Sequence, residues 1–261
     1  MLRTRDLTVR FGGHVAVDAV TCEFPAGSLA AIVGPNGAGK TTFFNLISGQ
    51  LAPSSGQVLL DGVDITRESP SRRARRGLGR GFQLTQLFAR LTVTENVRLA
   101  AQARAARRID LASIWSDHRD WRERAEELVA AVGLAAQRDR PAASLPHGDQ
   151  RKLDVAMLIA LDPRVYLFDE PTAGMSAAEV PAILDLLRAL KRERNKAILL
   201  VEHKMDVVAE LADRIVVLHN GRLIAAGDPA SVIAQPAVQQ AYLGGLAGPA
   251  GTSQAGANHG G

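Results

Sequence analysis

Cysteine is almost missing from this chain: Cys22 is the only one among 261 residues. No internal disulfide can form, and a zinc site built on paired cysteines is excluded, so a cytosolic address is expected. Long apolar runs are missing too, none approaching the ~18 residues that a membrane-spanning helix needs. Hydrophobic residues still make up 46% of the chain, too many for a disordered one, so a globular protein is expected. At roughly 150 residues per domain the length suits one large domain, or one that carries an inserted subdomain. No charged-then-apolar leader opens the sequence; Leu2, Leu7, Val9 and Phe11 alternate as in a strand, and no secretion signal is expected.

Lysine is scarce as well, 5 residues against 26 arginines, within a net charge of +4 that points weakly towards nucleic acid. Acids are nearly missing from one segment. Between Arg67 and Arg108 eleven arginines face only Glu68 and Glu95, a local +9 that leaves the rest of the chain at about −5.

What is present alternates between strand and helix signals. Val15 to Phe24, Leu29 to Val33 and Val58 to Leu60 read as strands, with a turn at Pro25-Ala26-Gly27 and a helix from Lys40. Arg72 to Arg76 reads as a short exposed helix, and Leu78 to Phe82 as a strand. A long helical stretch follows: a helix capped by Thr94 and running to about Arg107, a second from Trp121 to Val132, and a third from Gly148 to Leu161. Then come a buried strand Val165 to Phe168, a helix opened by the capping-box spacing of Ser176 and Glu179 and reaching about Arg194, and a strand Ala197 to Val201. Lys204 to Leu211 reads as helix and Arg214 to Leu218 as strand, with a type I′ hairpin at Asn220-Gly221 leading into Leu223 to Ala226. Such alternation predicts an α/β fold with a mainly parallel sheet covered on both faces, preceded by a small antiparallel β layer. From Gly244 onward little can be buried, and 244–261 is expected to be a disordered tail.

Gly34-Pro35-Asn36-Gly37-Ala38-Gly39-Lys40-Thr41, followed by Thr42, matches the phosphate-loop pattern and lies between a strand and a helix, where the chemistry needs it. Glycines let backbone N–H groups converge on an anion, and the helix N-terminus adds about half a positive charge. Lys40 is suited to the β- and γ-phosphates and the Thr41 hydroxyl to Mg²⁺. Val165-Tyr166-Leu167-Phe168-Asp169-Glu170 supplies an apolar strand ending in two acids, Asp169 beside the metal and Glu170 placed to polarise water. Asn195-Lys196-Ala197-Ile198 lacks the final Asp of a guanine-recognition motif, so guanine specificity fails. His14, His118, His147, His219 and His259 show no metal-ligand spacing.

With these motifs the chain resembles the ATP-binding subunits of ABC transporters from about Leu2 to Gly244. The resemblance implies a P-loop NTPase fold over 1–243, with a helical subdomain at about 84–160 inserted in it. It further implies that Phe11 stacks on adenine, that Gln83 of Arg80-Gly81-Phe82-Gln83 touches Mg²⁺ and senses the γ-phosphate, and that His203 contacts the γ-phosphate. Leu145-Pro146-His147-Gly148-Asp149-Gln150 occupies the place of the family signature, normally Leu-Ser-Gly-Gly-Gln, whose Ser and first Gly donate to ATP held by the opposite subunit. Pro146 has neither hydroxyl nor N–H, so one donor is lost, while His147 and Gly148 remain. Ser176 stands where a loop Asp is usual.

Leu-Pro-His-Gly with Ala-Gly-Met-Ser is most similar to the hydrophobic amino acid uptake branch, which serves branched-chain amino acids and includes urea and short-amide transporters. The implied partners are a second, non-identical ATPase subunit forming a heterodimer, two transmembrane permease subunits and, indirectly, a periplasmic or surface solute-binding protein. The implied place is the cytoplasmic face of the inner membrane. A soluble ABC ATPase acting on nucleic acid or ribosomes is the competing reading. Such proteins usually join two cassettes or carry a coiled coil, neither of which is here, so no nucleic-acid partner is expected.

Overall fold

The computed structural model describes residues 1–81, 87–105 and 119–244. The chain opens with strands β1 (Leu2–Phe11), β2 (His14–Phe24) and β3 (Ser28–Val33), then helix α1 (Lys40–Ser48), β4 (Ser55–Leu60), β5 (Val63–Asp64), α2 (Pro70–Arg75) and β6 (Leu78–Arg80). Helices α3 (Val93–Ala105), α4 (Arg119–Ala131) and α5 (His147–Leu161) follow and pack on one another. The chain then returns to alternation with β7 (Val165–Asp169), α6 (Val180–Arg192), β8 (Ala197–Val201), α7 (Met205–Leu211), β9 (Arg214–His219) and β10 (Arg222–Gly227), and closes with α8 (Pro229–Ile233) and α9 (Pro236–Gly244).

Two sheets result. One has four strands in the order β2-β1-β4-β5, all antiparallel. The other has six in the order β10-β9-β3-β8-β7-β6, parallel except for the β9/β10 hairpin. Strands β7 and β8 are buried along their whole length, as their unbroken apolar sequence requires for strands covered on both faces. Alternate residues serve opposite cores. Ala30, Ile32, Leu167, Leu199 and Val201 pack with Phe43, Phe44 and Ile47 of α1 and with Leu2, Val17 and Phe24 of the antiparallel layer. On the other face Tyr166, Phe168, Ile198 and Leu200 meet Leu153 of α5 and Ile183 and Leu187 of α6.

Most expected elements are found within a few residues, and four details differ. Helix α3 is capped by Thr92, not Thr94: Thr92 Oγ1 accepts from the Glu95 N–H at 3.1 Å while Glu95 Oε2 accepts from the Thr92 N–H at 2.9 Å. Thr94 instead donates to the Arg138 carbonyl. Ser176 does not cap α6, because its hydroxyl donates to the Glu179 carboxylate; the helix starts at Val180, with Pro181 in its first turn, and the left-handed Arg194 lies beyond its end at Arg192. In α2, Arg73 is 1% exposed rather than on the surface. Helices α8 and α9 went unread, although Asp228-Pro229 carries the start signal and the Asp228 carboxylate accepts from the Ser231 N–H. Phe82, Gln83 and residues 245–261 of the expected tail lie outside the described residues.

Candidate functional site

The parallel register lines up the carboxyl ends of three strands, with Ile32 of β3 opposite Val201 of β8 and Val201 opposite Asp169 of β7. The segments that follow, Gly34 to Lys40, Glu202-His203 and Glu170, therefore leave the sheet at one edge. Ligands of α/β sheets bind at such edges.

Gly34 and Gly39 have φ of 151° and 95°, and a Cβ would meet the Leu218 carbonyl oxygen at 2.1 Å and the Ala16 carbonyl oxygen at 2.6 Å respectively. Only glycine fits either position. The buried Ala38 accepts from the Gly221 N–H at 3.1 Å, so the β9/β10 hairpin holds the loop from outside, while Asn36 and Gly37 stand exposed at its tip. Pro35 is half-buried, as are Thr41 and Thr42 at the start of α1. That helix has Gly39 as its N-cap, no side-chain cap and no acid in its first turn, an arrangement that suits an anion. Lys40 Nζ arches back to donate to the carbonyls of Gly34 at 2.7 Å and Pro35 at 2.9 Å. Burial holds its amine below the ordinary lysine value against the pull of Glu170 and Asp169.

Asp169 is buried at the end of β7. Its Oδ2 accepts from Arg80 Nη2 at 3.1 Å, while Oδ1 is buried without a partner among the described residues. Burial raises the carboxyl above its usual range, and Arg80 pulls it back down. A buried carboxylate oxygen with no donor fits a hard cation such as Mg²⁺, which takes one or two carboxylates and completes its shell with phosphate and water. Glu170 follows in a left-handed conformation, φ 50°, its N–H donating to the Val201 carbonyl at 2.9 Å. His203 Nδ1 lies 3.8 Å from Glu170 Oε1 and 3.9 Å from Glu202 Oε2. Glu202 is itself buried and accepts from Thr172 Oγ1 at 2.7 Å. Phe11 ends β1 opposite His14 with 52% of its surface exposed, so it is not a core aromatic.

The signature residues form a second group. Leu145 is buried, and Pro146 is the N-cap of α5, exposed together with His147. Gly148 lies so close to the 170s turn that a Cβ would stand 3.0 Å from the Gly174 carbonyl oxygen. Asp149 accepts from Lys152 Nζ at 2.8 Å, and Lys152 also pairs with Glu179. The other Glu179 oxygen accepts from the Ser176 N–H and hydroxyl, and these bonds, Lys152 first, push the Glu179 carboxyl down to about 2. Ser176 is thereby tied through Glu179 and Lys152 to Asp149.

Four participants were not read from the sequence. Arg80 lay inside a run of arginines that looked like surface. The Thr172–Glu202 pair joins residues 30 apart, beyond any local pattern. The Tyr242 hydroxyl of α9 is buried beside the Gly34 N–H, in a helix that went unread, and burial raises its pKa.

Known proteins resemble this chain along most of its length. Residues 17–173 match the family model described as ABC transporter, and residues 222–247 match a second, described as branched-chain amino acid ATP-binding cassette transporter. The chain is 36% identical over 250 residues to the high-affinity branched-chain amino acid transport ATP-binding protein BraF of Pseudomonas aeruginosa, covering 94% of this chain and 98% of that one. It is 35% identical over 249 residues to LivG of Escherichia coli K12, of the same description and with the same coverage. Among solved structures, a nucleotide-free ATP-binding cassette from an ABC transporter superposes with a TM-score of 0.77 at 28% identity, over 93% of this chain and 98% of that one. The ADP conformation of the cassette MJ1267 gives 0.77 at 28% identity, over 94% and 98%.

Proposed function

Since the chain belongs to the ATP-binding subunits of ABC transporters, we propose that it hydrolyses ATP to drive import of branched-chain or other hydrophobic amino acids. The observation that carries the substrate class is the match of residues 222–247 to the branched-chain model, a segment whose Tyr242 reaches the phosphate loop.

The phosphates of ATP take the Gly34 to Thr42 loop and the start of α1, with Lys40 swinging from its carbonyl partners to the β- and γ-oxygens and adenine stacking on exposed Phe11. Thr41 and Asp169, together with Gln83, are the residues suited to hold Mg²⁺, which would neutralise charge on the phosphates. Glu170 accepts a proton from the attacking water, and His203, held near it, contacts the γ-phosphate. Residues 145–149 meet the nucleotide of a partner subunit.

Pro146 argues for a non-identical partner: in a homodimer both composite sites would lack the signature hydroxyl, whereas in a heterodimer this chain's phosphate loop can meet an intact signature. Among the described residues no helix is long and apolar enough to cross a membrane, in keeping with a peripheral subunit on the cytoplasmic side of two permeases fed by a solute-binding protein. Exposed Arg67, Arg72 and Arg75 form the permease-facing patch, while Arg76 is already paired with Glu68. Charge reversal at Arg72 and Arg75 should prevent assembly with the permeases, and undisturbed assembly would reject that assignment.

The decisive experiment reconstitutes the chain with its permeases and partner ATPase in vesicles. Leucine uptake should require ATP, and Glu170→Gln should abolish it while ATP stays bound. Uptake of urea or a short amide in place of leucine would move the chain to the amide branch. Hydrolysis unaffected by Glu170→Gln would remove that residue from the role of base.

A further inference from the structure

Arg80 is the least expected group near the phosphate site. Its side chain is 6% exposed, yet it carries a full charge at the end of β6, the edge strand beside β7. One arm, Nη2, donates to Asp169 Oδ2 at 3.1 Å. The other, Nη1, donates to Asn45 Oδ1 at 2.7 Å, Ser48 Oγ at 2.9 Å and Gln50 Oε1 at 3.0 Å, on and just beyond the last turns of α1. The guanidinium also lies over the Phe44 ring, 5.8 Å from its centre. It therefore joins the carboxylate at the tip of β7 to the helix whose other end receives phosphate. Lysine, with a single ammonium centre, cannot make this planar two-armed bridge.

The bond is one-sided. Arg80 takes Oδ2 and leaves Oδ1 of Asp169 buried and, among the described residues, without a donor. A buried carboxylate free to rotate would spread its charge over several orientations, whereas a pinned one presents a fixed oxygen. We infer that Arg80 is a positioning residue for Mg²⁺: it pins Asp169 by Oδ2, ties it to α1, and keeps Oδ1 directed at the metal that accompanies ATP. The inference rests on the assignment of Asp169 as a metal residue. Partners of this kind behind a metal ligand are worth about 10- to 100-fold in metal affinity.

Mn²⁺, followed by its electron paramagnetic resonance signal, probes the site in the full chain loaded with ADP. Arg80→Lys keeps the charge but loses the two-armed bridge, and should weaken Mn²⁺ binding by about 10-fold while ADP affinity without metal changes less than about twofold. Unchanged or tighter Mn²⁺ binding in the folded variant overturns the inference. Should Arg80→Lys fail to fold, Arg80→Gln, which is shorter and uncharged but planar at its tip, is read in the same way. Asp169→Asn separates the premise from the inference. If it leaves Mn²⁺ binding intact, Asp169 is not a metal residue; if it weakens binding and the Arg80 variants do not, only the role of Arg80 fails.

Discussion

Two helix N-termini in this protein are assigned to the phosphates of ATP, and they are built differently. Helix α1 begins at a glycine, carries no acid in its first turn and is preceded by glycines that no other residue could replace at Gly34 and Gly39. Helix α5 begins at Pro146, has Asp149 in its first turn, and needs Lys152 to offset that negative charge. Both helices supply the same partial positive end. What separates them is whether the flanking residues leave it open to an anion, and only α1 does so fully. Under the proposed pairing with a second ATPase, the difference suits a subunit that binds its own nucleotide well and serves its partner's poorly.

The comparison breaks most readily on the α1 side. Lys40→Met removes the one formal positive charge that the phosphate loop contributes, and hydrolysis by the assembled transporter should fall by about 100-fold or more. A loss much smaller than that, in a phosphate-release assay, would mean that backbone N–H groups alone hold the phosphates. Next in size is repair of the α5 side. Pro146→Ser with His147→Gly restores donors to a charged acceptor, each worth about 1.5 to 3 kcal/mol, so the isolated chain should gain roughly ten-fold or more in ATP turnover. No gain would show that the poor signature does not limit the chain acting alone.

The smallest effect sharpens the comparison instead. Glu179, on the clamp from Ser176 to Asp149, titrates near 2 when folded against 4.5 ordinarily. Its contribution is therefore complete above about pH 4.5 and is lost as pH falls towards 2. A Glu179→Gln variant should melt below the wild type at neutral pH, with the gap closing in acid. A gap that persisted unchanged at pH 2 would take the ionised Glu179 out of the clamp.

Local chemistry explains what the sequence made legible. Gly34 to Thr41 and Val165 to Glu170 are contiguous, and their function follows from strand, turn and helix signals in one short window. The β9/β10 hairpin was readable for the same reason, since Asn220 and Gly221 both need positive φ and both have it. Arg73 and Arg80 were not. A run of arginines reads as solvated surface, and nothing local shows that one will turn inward to meet Leu46, Ile47 and Thr66 and another to meet Asp169. The Ser176 and Glu179 spacing was readable as a capping box, but Lys152 competes for the same carboxylate from another helix, and that competition exists only in three dimensions.

Arg73 splits the basic segment into residues that can drift and residues that cannot. Its guanidinium donates to the carbonyls of Leu46 and Ile47 at the end of α1, and to those of Thr66 and Glu68, with no carboxylate in the set. Four carbonyl acceptors spread around a planar fork leave no room for an ammonium group to do the same. Outward-facing Arg67, Arg72 and Arg75 need only a positive charge, so lysine should replace them freely. Among variants of this protein that still bind ATP, positions 73 and 80 should therefore hold arginine long after their neighbours have changed.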